Sequence, residues 1–245
     1  MNLLIDGFAW ILDPLHWVGA DGIPARLAEH IGVTLLVLVV SAVIAIPLGF
    51  VVGHTGRGRG LAVAASGAAR ALPTLGLLII VALSLGVGLI APVIALCVLA
   101  IPSILAGAYS GFEAVDRTTI VAARAVGMTE LQIGRKVEVP LGLPLLIGGV
   151  RSASLQVLST ATLAAYVGTG GLGSFIFLGQ KTSDYPQMLA GSILVIALCL
   201  VSEGIFAILQ KMTVPRGVIA AQTQVVRAPS SRQRAVVELS TQEGK

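Results

Sequence analysis

Five apolar stretches divide the chain, at 31–53, 61–85, 90–109, 141–167 and 188–209. Each is long enough to cross a hydrocarbon layer, which takes about 20 apolar residues at a rise of about 1.5 Å per residue. The first holds no Asp, Glu, Lys or Arg, and each of the others holds at most one. None has the strict apolar/polar alternation of a barrel strand. The pattern predicts an all-α, polytopic membrane protein with about five transmembrane helices. Residues 1–29 carry both tryptophans, Trp10 and Trp17, beside Phe8, Ile11 and Leu15. That suits an amphipathic segment at the outer interface, with an incomplete sixth span as the alternative. The chain then divides into this segment, a membrane domain at 30–213, and a polar tail at 214–245 expected to be mobile and cytoplasmic.

Basic residues orient the spans, because short loops rich in Lys and Arg stay in the cytoplasm. Arg57 and Arg59 follow the first stretch. Arg117, Arg124, Arg135 and Lys136 follow the third, and Lys211, Arg216, Arg227, Arg232 and Arg234 follow the fifth. Arg26 and Lys181 fall on the opposite side. The N-terminus is therefore expected outside and the C-terminus inside.

The loop at 110–140 is the one sizeable polar connection, and its local code reads as two short helices. Asp116 or Thr118 can cap the first, which runs through Val121-Ala122-Ala123-Arg124-Ala125, and Gly127 supplies a left-handed stop. Thr129 followed by Gln132 fits a capping box for the second, and Pro140 is expected to limit it. Two capped helices in a tethered loop suggest a docking element; a plain connector would not need them, and a DNA reader could not track a groove from there.

Composition agrees with lipid as the solvent: 56% of residues are hydrophobic, only 11% charged, and the mean hydropathy is +0.94. A soluble domain carries about 25% charged residues. The net charge of +4 is scattered over short loops and the tail, which argues against nucleic acid. Cys97 and Cys199 lie inside apolar stretches and read as small hydrophobes. No Lys or Arg precedes Arg26, so the start lacks the basic region of a cleaved signal peptide.

The loop resembles that of the inner-membrane permeases of ABC importers, whose motif runs Glu-Ala-Ala, three residues, Gly, nine residues, Ile-x-Leu-Pro. Here Val121-Ala122-Ala123, Gly127 and Val137-Glu138-Val139-Pro140 stand at that spacing, with Val121 in place of the glutamate. Over 29–217 the likeness narrows to the osmoprotectant branch. It is carried by Arg70-Ala71-Leu72-Pro73-Thr74-Leu75, Gly111-Phe112-Glu113-Ala114-Val115-Asp116, Gly127-Met128-Thr129-Glu130-Leu131-Gln132 and a Pro215-Arg216-Gly217 terminus. The resemblance implies a coupling helix around 118–131, seated on a separate ATP-binding subunit that uses ATP and Mg, with Ala122, Ala123 and Gly127 permitting close approach. It also implies a second permease copy or paralogue, an extracytoplasmic substrate-binding protein, and no cofactor on this chain. The implied cargo is glycine betaine, carnitine or choline, with a methionine or amino-acid importer as the nearest alternative.

Gly168-Thr169-Gly170-Gly171-Leu172-Gly173 satisfies a dinucleotide-site spacing, but it follows an apolar span and not a strand. The resemblance makes these glycines a gate or packing element at the outer mouth, a flexible turn being the alternative. Ser152, Gln156, Ser159 and Thr160 share one helical face, which serves either as packing glue or as pathway lining. Arg70, Arg151 and Glu203 lie on the order of 12 to 15 Å inside their spans, and Glu203 is expected to pair with one of the arginines unless these snorkel. Pro73 is the best placed proline for a functional break. His16, His30 and His54 fall outside or at the edges of the stretches, and Glu203 is the single acid expected to be buried. An intramembrane enzyme would need a catalytic constellation that this pattern lacks, and a non-transporting scaffold would leave the polar face and the glycine run without a role.

Overall fold

The computed structural model of the protein describes residues 2–213. Its α-helices are α1 (Leu3–Leu12), α2 (Ile23–Thr55), α3 (Arg59–Ala71), α4 (Thr74–Leu85), α5 (Ile90–Glu113), α6 (Arg117–Ala125), α7 (Glu130–Ile133), α8 (Val139–Thr160), α9 (Gly173–Thr182) and α10 (Tyr185–Thr213). Among the described residues, four helical segments are long and apolar enough to cross a membrane, or up to five when the bent pair α3 and α4 counts as one. The tail expected at 214–245, with its Pro-Arg-Gly, lies outside the described residues.

Helix α5 sits at the centre. Of its apolar window 61% is buried, against 6% for α10. Helices α2 and α8 flank α5, and Val37, Ala45, Leu99, Ala100, Ile104, Ala153 and Val157 form the core among the three. Helix α10 packs on α8, and α1 and α9 pack on α10. Large apolar side chains such as Leu35, Val39, Val43 and Leu200 remain exposed on α2 and α10. A helix satisfies its backbone internally, so a bilayer is the solvent such a surface requires.

Glycine sets how closely the central helices approach. A Cβ on Gly107 would lie 2.6 Å from the Gly149 Cα, and one on Gly111 would lie 2.5 Å from the Gly142 carbonyl oxygen. The α5 and α8 backbones therefore touch at two points. On α2, Gly49 faces Ala108, and a Cβ on Gly53 would lie 2.7 Å from that of Phe112. Both Gly49/Gly53 and Gly107/Gly111 are four-residue repeats, the small-residue spacing that joins helices where lipid removes any hydrophobic driving force.

Two expectations are corrected, and the break expected at Pro73 is present: within the stretch 61–85, α3 and α4 meet at 87°. Pro73 offers no N–H to continue α3 and pushes Leu72 to an extended φ of −71° and ψ of 131°. Pro140 does not end the second loop helix. The chain runs from α7 through a π-helical turn at Gly134–Glu138 into α8, with Pro140 in the first α8 turn. The wider π turn carries a proline that a regular helix interior would reject. Finally, α9 lies between the fourth and fifth apolar stretches, where no helix was expected, and residues 161–167 narrow to a 3₁₀ helix.

Candidate functional site

The loop folds by the local code its residues carry. Asp116 caps α6 by accepting the Thr118 N–H at 2.9 Å, which holds its carboxyl below the usual aspartate range. Gly127 takes a φ of +85°, as a left-handed stop requires. The capping box closes both ways: the Gln132 N–H reaches Thr129 Oγ1 at 3.4 Å, and the Thr129 N–H reaches Gln132 Oε1 at 2.9 Å. Glu130 accepts two bonds from Arg124, at 2.7 and 2.9 Å, and so clamps α7 to α6. Val121, Val126 and Leu131 are left 60%, 78% and 69% exposed, an aliphatic surface on a loop. Ala122 and Gly127 share that exposed side with Thr129, whereas Ala123 is buried and Met128 half-buried. Ala123 is thus a packing residue within the chain, not part of an approach surface.

The Asp116 cap carries a pH dependence of definite sign. A carboxyl held below its unfolded pKa stabilises α6 above that unfolded value, and the contribution is lost as pH falls through the depressed one, below about 4. The protection factor of the Thr118 amide, its exchange rate referred to the unstructured rate at the same pH, is expected to fall about fivefold across that window. Asp116→Asn, which accepts without titrating, should flatten the profile, and Asp116→Ala should give the low protection factor at every pH.

At the other end of the bundle the glycine run wraps the start of α2. Gly168, Gly170 and Gly171 have φ of +86°, +77° and +78°. The Gly171 N–H donates to Glu29 Oε2 at 2.8 Å, and Glu29 is held by Arg26 at the same distance. A Cβ on Gly170 would collide with the Glu29 carboxylate, and one on Gly173 with the Thr162 carbonyl. His30, one residue on, is only 1% exposed and donates through Nε2 to the Leu158 carbonyl at 2.9 Å. The run is thus a shaped turn locked onto α2 and the end of α8. His30 was expected at a span edge, but α2 begins at Ile23 and carries it inside.

The intramembrane polar residues separate into two groups. Arg151 on α8 pairs with Glu203 on α10 through Nε at 2.8 Å and again through Nη2, while its Nη1 donates to Gln210 Oε1 at 3.0 Å. Gln210 in turn donates to the Pro144 carbonyl at 3.2 Å, and Ser154 meets Ser202 at 3.1 Å. These contacts tie α10 to α8. Arg70 lies in α3 two residues before the break at Leu72–Pro73. Gln156 accepts from Ser103 of α5 at 3.2 Å, and Thr160 turns back to the Gln156 carbonyl. Ser152 and Ser159 stay exposed on α8. The polar face is therefore helix contact at Gln156 and open surface at the two serines.

Sequence reading missed His54, Glu138 and the glycine pairs. Among the described residues the fully buried acid is Glu138, at 1% exposure, and not Glu203, whose side chain is 35% exposed. Glu138 occupies the variable position of the loop motif and so looked solvated. The four-residue glycine spacing was readable in advance. The partner of Glu138, His54, lies 84 residues away and left no local signal.

Residues 45–214 match the family model described as binding-protein-dependent transport system inner membrane component. The glycine betaine/carnitine/choline transport system permease protein OpuCB of Bacillus subtilis is 28% identical over 192 residues, covering 78% of this chain and 88% of the relative. The choline transport system permease protein OpuBB of the same organism is 30% identical over 189 residues, covering 77% and 87%. A solved inward-facing conformation of the MetNI methionine ABC transporter superposes with a TM-score of 0.68 at 23% identity, over 82% of this chain and 98% of that one. That likeness concerns the fold. The family implies a substrate-binding protein and an ATP-binding subunit as partners, and places ATP hydrolysis in the separate subunit. With its matched region spanning most of the chain, this protein belongs to the binding-protein-dependent transport system inner membrane components, as a multi-pass, non-enzymatic permease subunit of an ABC importer.

Proposed function

We propose that this permease passes a quaternary ammonium osmoprotectant, namely glycine betaine, carnitine or choline, from an extracytoplasmic binding protein to the cytoplasm. The observation that carries this reading is the near full-length likeness to relatives named for those compounds, over 87–88% of their own length. The exposed Val121, Val126 and Leu131 on the clamped α6–α7 loop would seat in the ATP-binding subunit, which uses ATP and Mg. A second permease copy or paralogue would complete the pathway, and the surrounding lipid would cover the exposed α2 and α10 faces. The charge distribution supports an N-terminus outside, with the loop cytoplasmic and the glycine run at the outer mouth. Ser152 and Ser159, open on α8, line the pathway in this arrangement. Residues 1–29 lie at the outer surface, and the tail from 214 lies in the cytoplasm.

The test is uptake of labelled glycine betaine by vesicles carrying the assembled importer and its binding protein, challenged with unlabelled choline, carnitine and methionine. ATP-dependent uptake suppressed by the quaternary amines is expected. Suppression by methionine alone would reassign the substrate to amino acids.

A further inference from the structure

Glu138 sits in the π turn that leads into α8 and is almost completely withdrawn from solvent, at 1% exposure. A carboxylate taken out of water needs a close partner, and removing that partner is strongly destabilising. The partner is His54 in the last turn of α2, whose Nδ1 lies 2.7 Å from Glu138 Oε2. The other ring nitrogen, Nε2, lies 3.6 Å from Glu130 Oε2, and Glu130 holds Arg124 of α6. Phe50 stacks on the imidazole at 5.4 Å and 13°, and Phe112 of α5 meets Phe50 edge-on at 4.9 Å. One imidazole is thus shared by the end of the first span, both loop helices and the turn that begins α8. It borders a cavity of about 190 Å³ lined also by Arg59, Glu113 and Arg117.

We infer that His54 is a positioning residue for transport: it makes the α6–α7 loop and the end of α2 move as one body when the ATP-binding subunit displaces the loop. The inference rests on the coupling role proposed above for that loop. Without the imidazole, loop motion reaches α2 through apolar packing alone, against α5, against α8 and between Phe50 and Gly134. With it, the force passes from Arg124 through Glu130 directly to α2, and to α8 through Glu138. The end of α2 and the start of α8 then receive the same displacement.

The test compares uptake per ATP hydrolysed by the reconstituted importer. His54→Ala/Glu138→Gln, which avoids stranding a buried charge, is expected to lower that ratio about tenfold while hydrolysis continues. Glu130→Gln, on the exposed limb, should lower it about threefold. The two changes together should do no more than the first alone, because they cut one chain. Spin labels at Thr55 and Thr119 should keep one narrow distance with and without ATP in the wild type and a broadened one in the His54 variant. An unchanged ratio, uptake and hydrolysis falling in proportion, or an unbroadened distance in the variant would overturn the inference. A wild type that carries no quaternary amine would count against the proposed substrate, and the label distances would still decide the bridge.

Discussion

Replacing Gly149 by leucine is expected to abolish accumulation of the folded permease, the largest effect of any single substitution considered. A bare Cβ there would lie 2.7 Å from the Gly107 Cα and 2.9 Å from the Ser103 carbonyl oxygen. Both obstacles are backbone, so no side-chain rotation relieves them. Even alanine must push α8 away from α5. That costs on the order of 1–3 kcal/mol, as overpacking does, a large share of the 5–15 kcal/mol that holds a typical domain together. Leucine adds three carbons to the same clash. Separation at this point also opens the Ser103–Gln156 bond, which spans the same helix pair at 3.2 Å. Gly32 and Gly204 supply the control, since a Cβ on either meets nothing within 4 Å. Fluorescence-detected size exclusion of tagged variants in detergent should give no monodisperse peak for Gly149→Leu, a reduced one with a lower Tm for Gly149→Ala, and a wild-type peak for Gly32→Leu. A wild-type peak for Gly149→Leu would mean that α5 and α8 are not in backbone contact.

What was legible in the sequence followed the range of the interactions involved. The apolar stretches announce the spans because hydropathy acts on each helix by itself. Asp116, Gly127 and the Thr129/Gln132 box announce the loop because a cap closes within a few residues. Pro140 misled for the same reason. Read locally it is a stop, yet the π turn before it lets the helix continue. Helix α9 stayed hidden because its GSFIFLGQKT is short and mixed in polarity, and its burial depends on Gly179 and Gly191 contacts made elsewhere in the fold. The loop helices were legible, but their inward side was not: Ala122 and Ala123 look equivalent in the motif, and only packing decides that Ala123 is buried. His54 and Glu138 illustrate the limit, since neither carries a pattern until α2 and the π turn meet.

Removing either member of the Arg151–Glu203 pair is expected to loosen α10 from α8. Helix α10 depends on this brace more than the inner helices do, because so little of it is buried. The guanidinium uses three of its nitrogens at once, two on Glu203 and one on Gln210. Such a planar fork is not replaced by lysine. The side chains are 29% and 35% exposed, so the loss should fall below the 3–5 kcal/mol of a fully buried pair, at about 1–3 kcal/mol for Arg151→Ala or Glu203→Ala. The two single variants strand opposite charges at the same depth, so each should lower the Tm in detergent by a similar amount. The exchange Arg151→Glu/Glu203→Arg restores the attraction and should recover most of the Tm and of the uptake rate. Recovery should stop short of complete, because Gln210 would have to turn its amide to donate to a carboxylate at 151. It would thereby give up its bond to the Pro144 carbonyl. The double exchange with Gln210→Ala should erase that remaining deficit relative to Gln210→Ala alone. If the exchange rescues nothing, the arginine reaches the membrane boundary by itself, and α10 is held by the Ser154–Ser202 contact and its packing against α8 and α9.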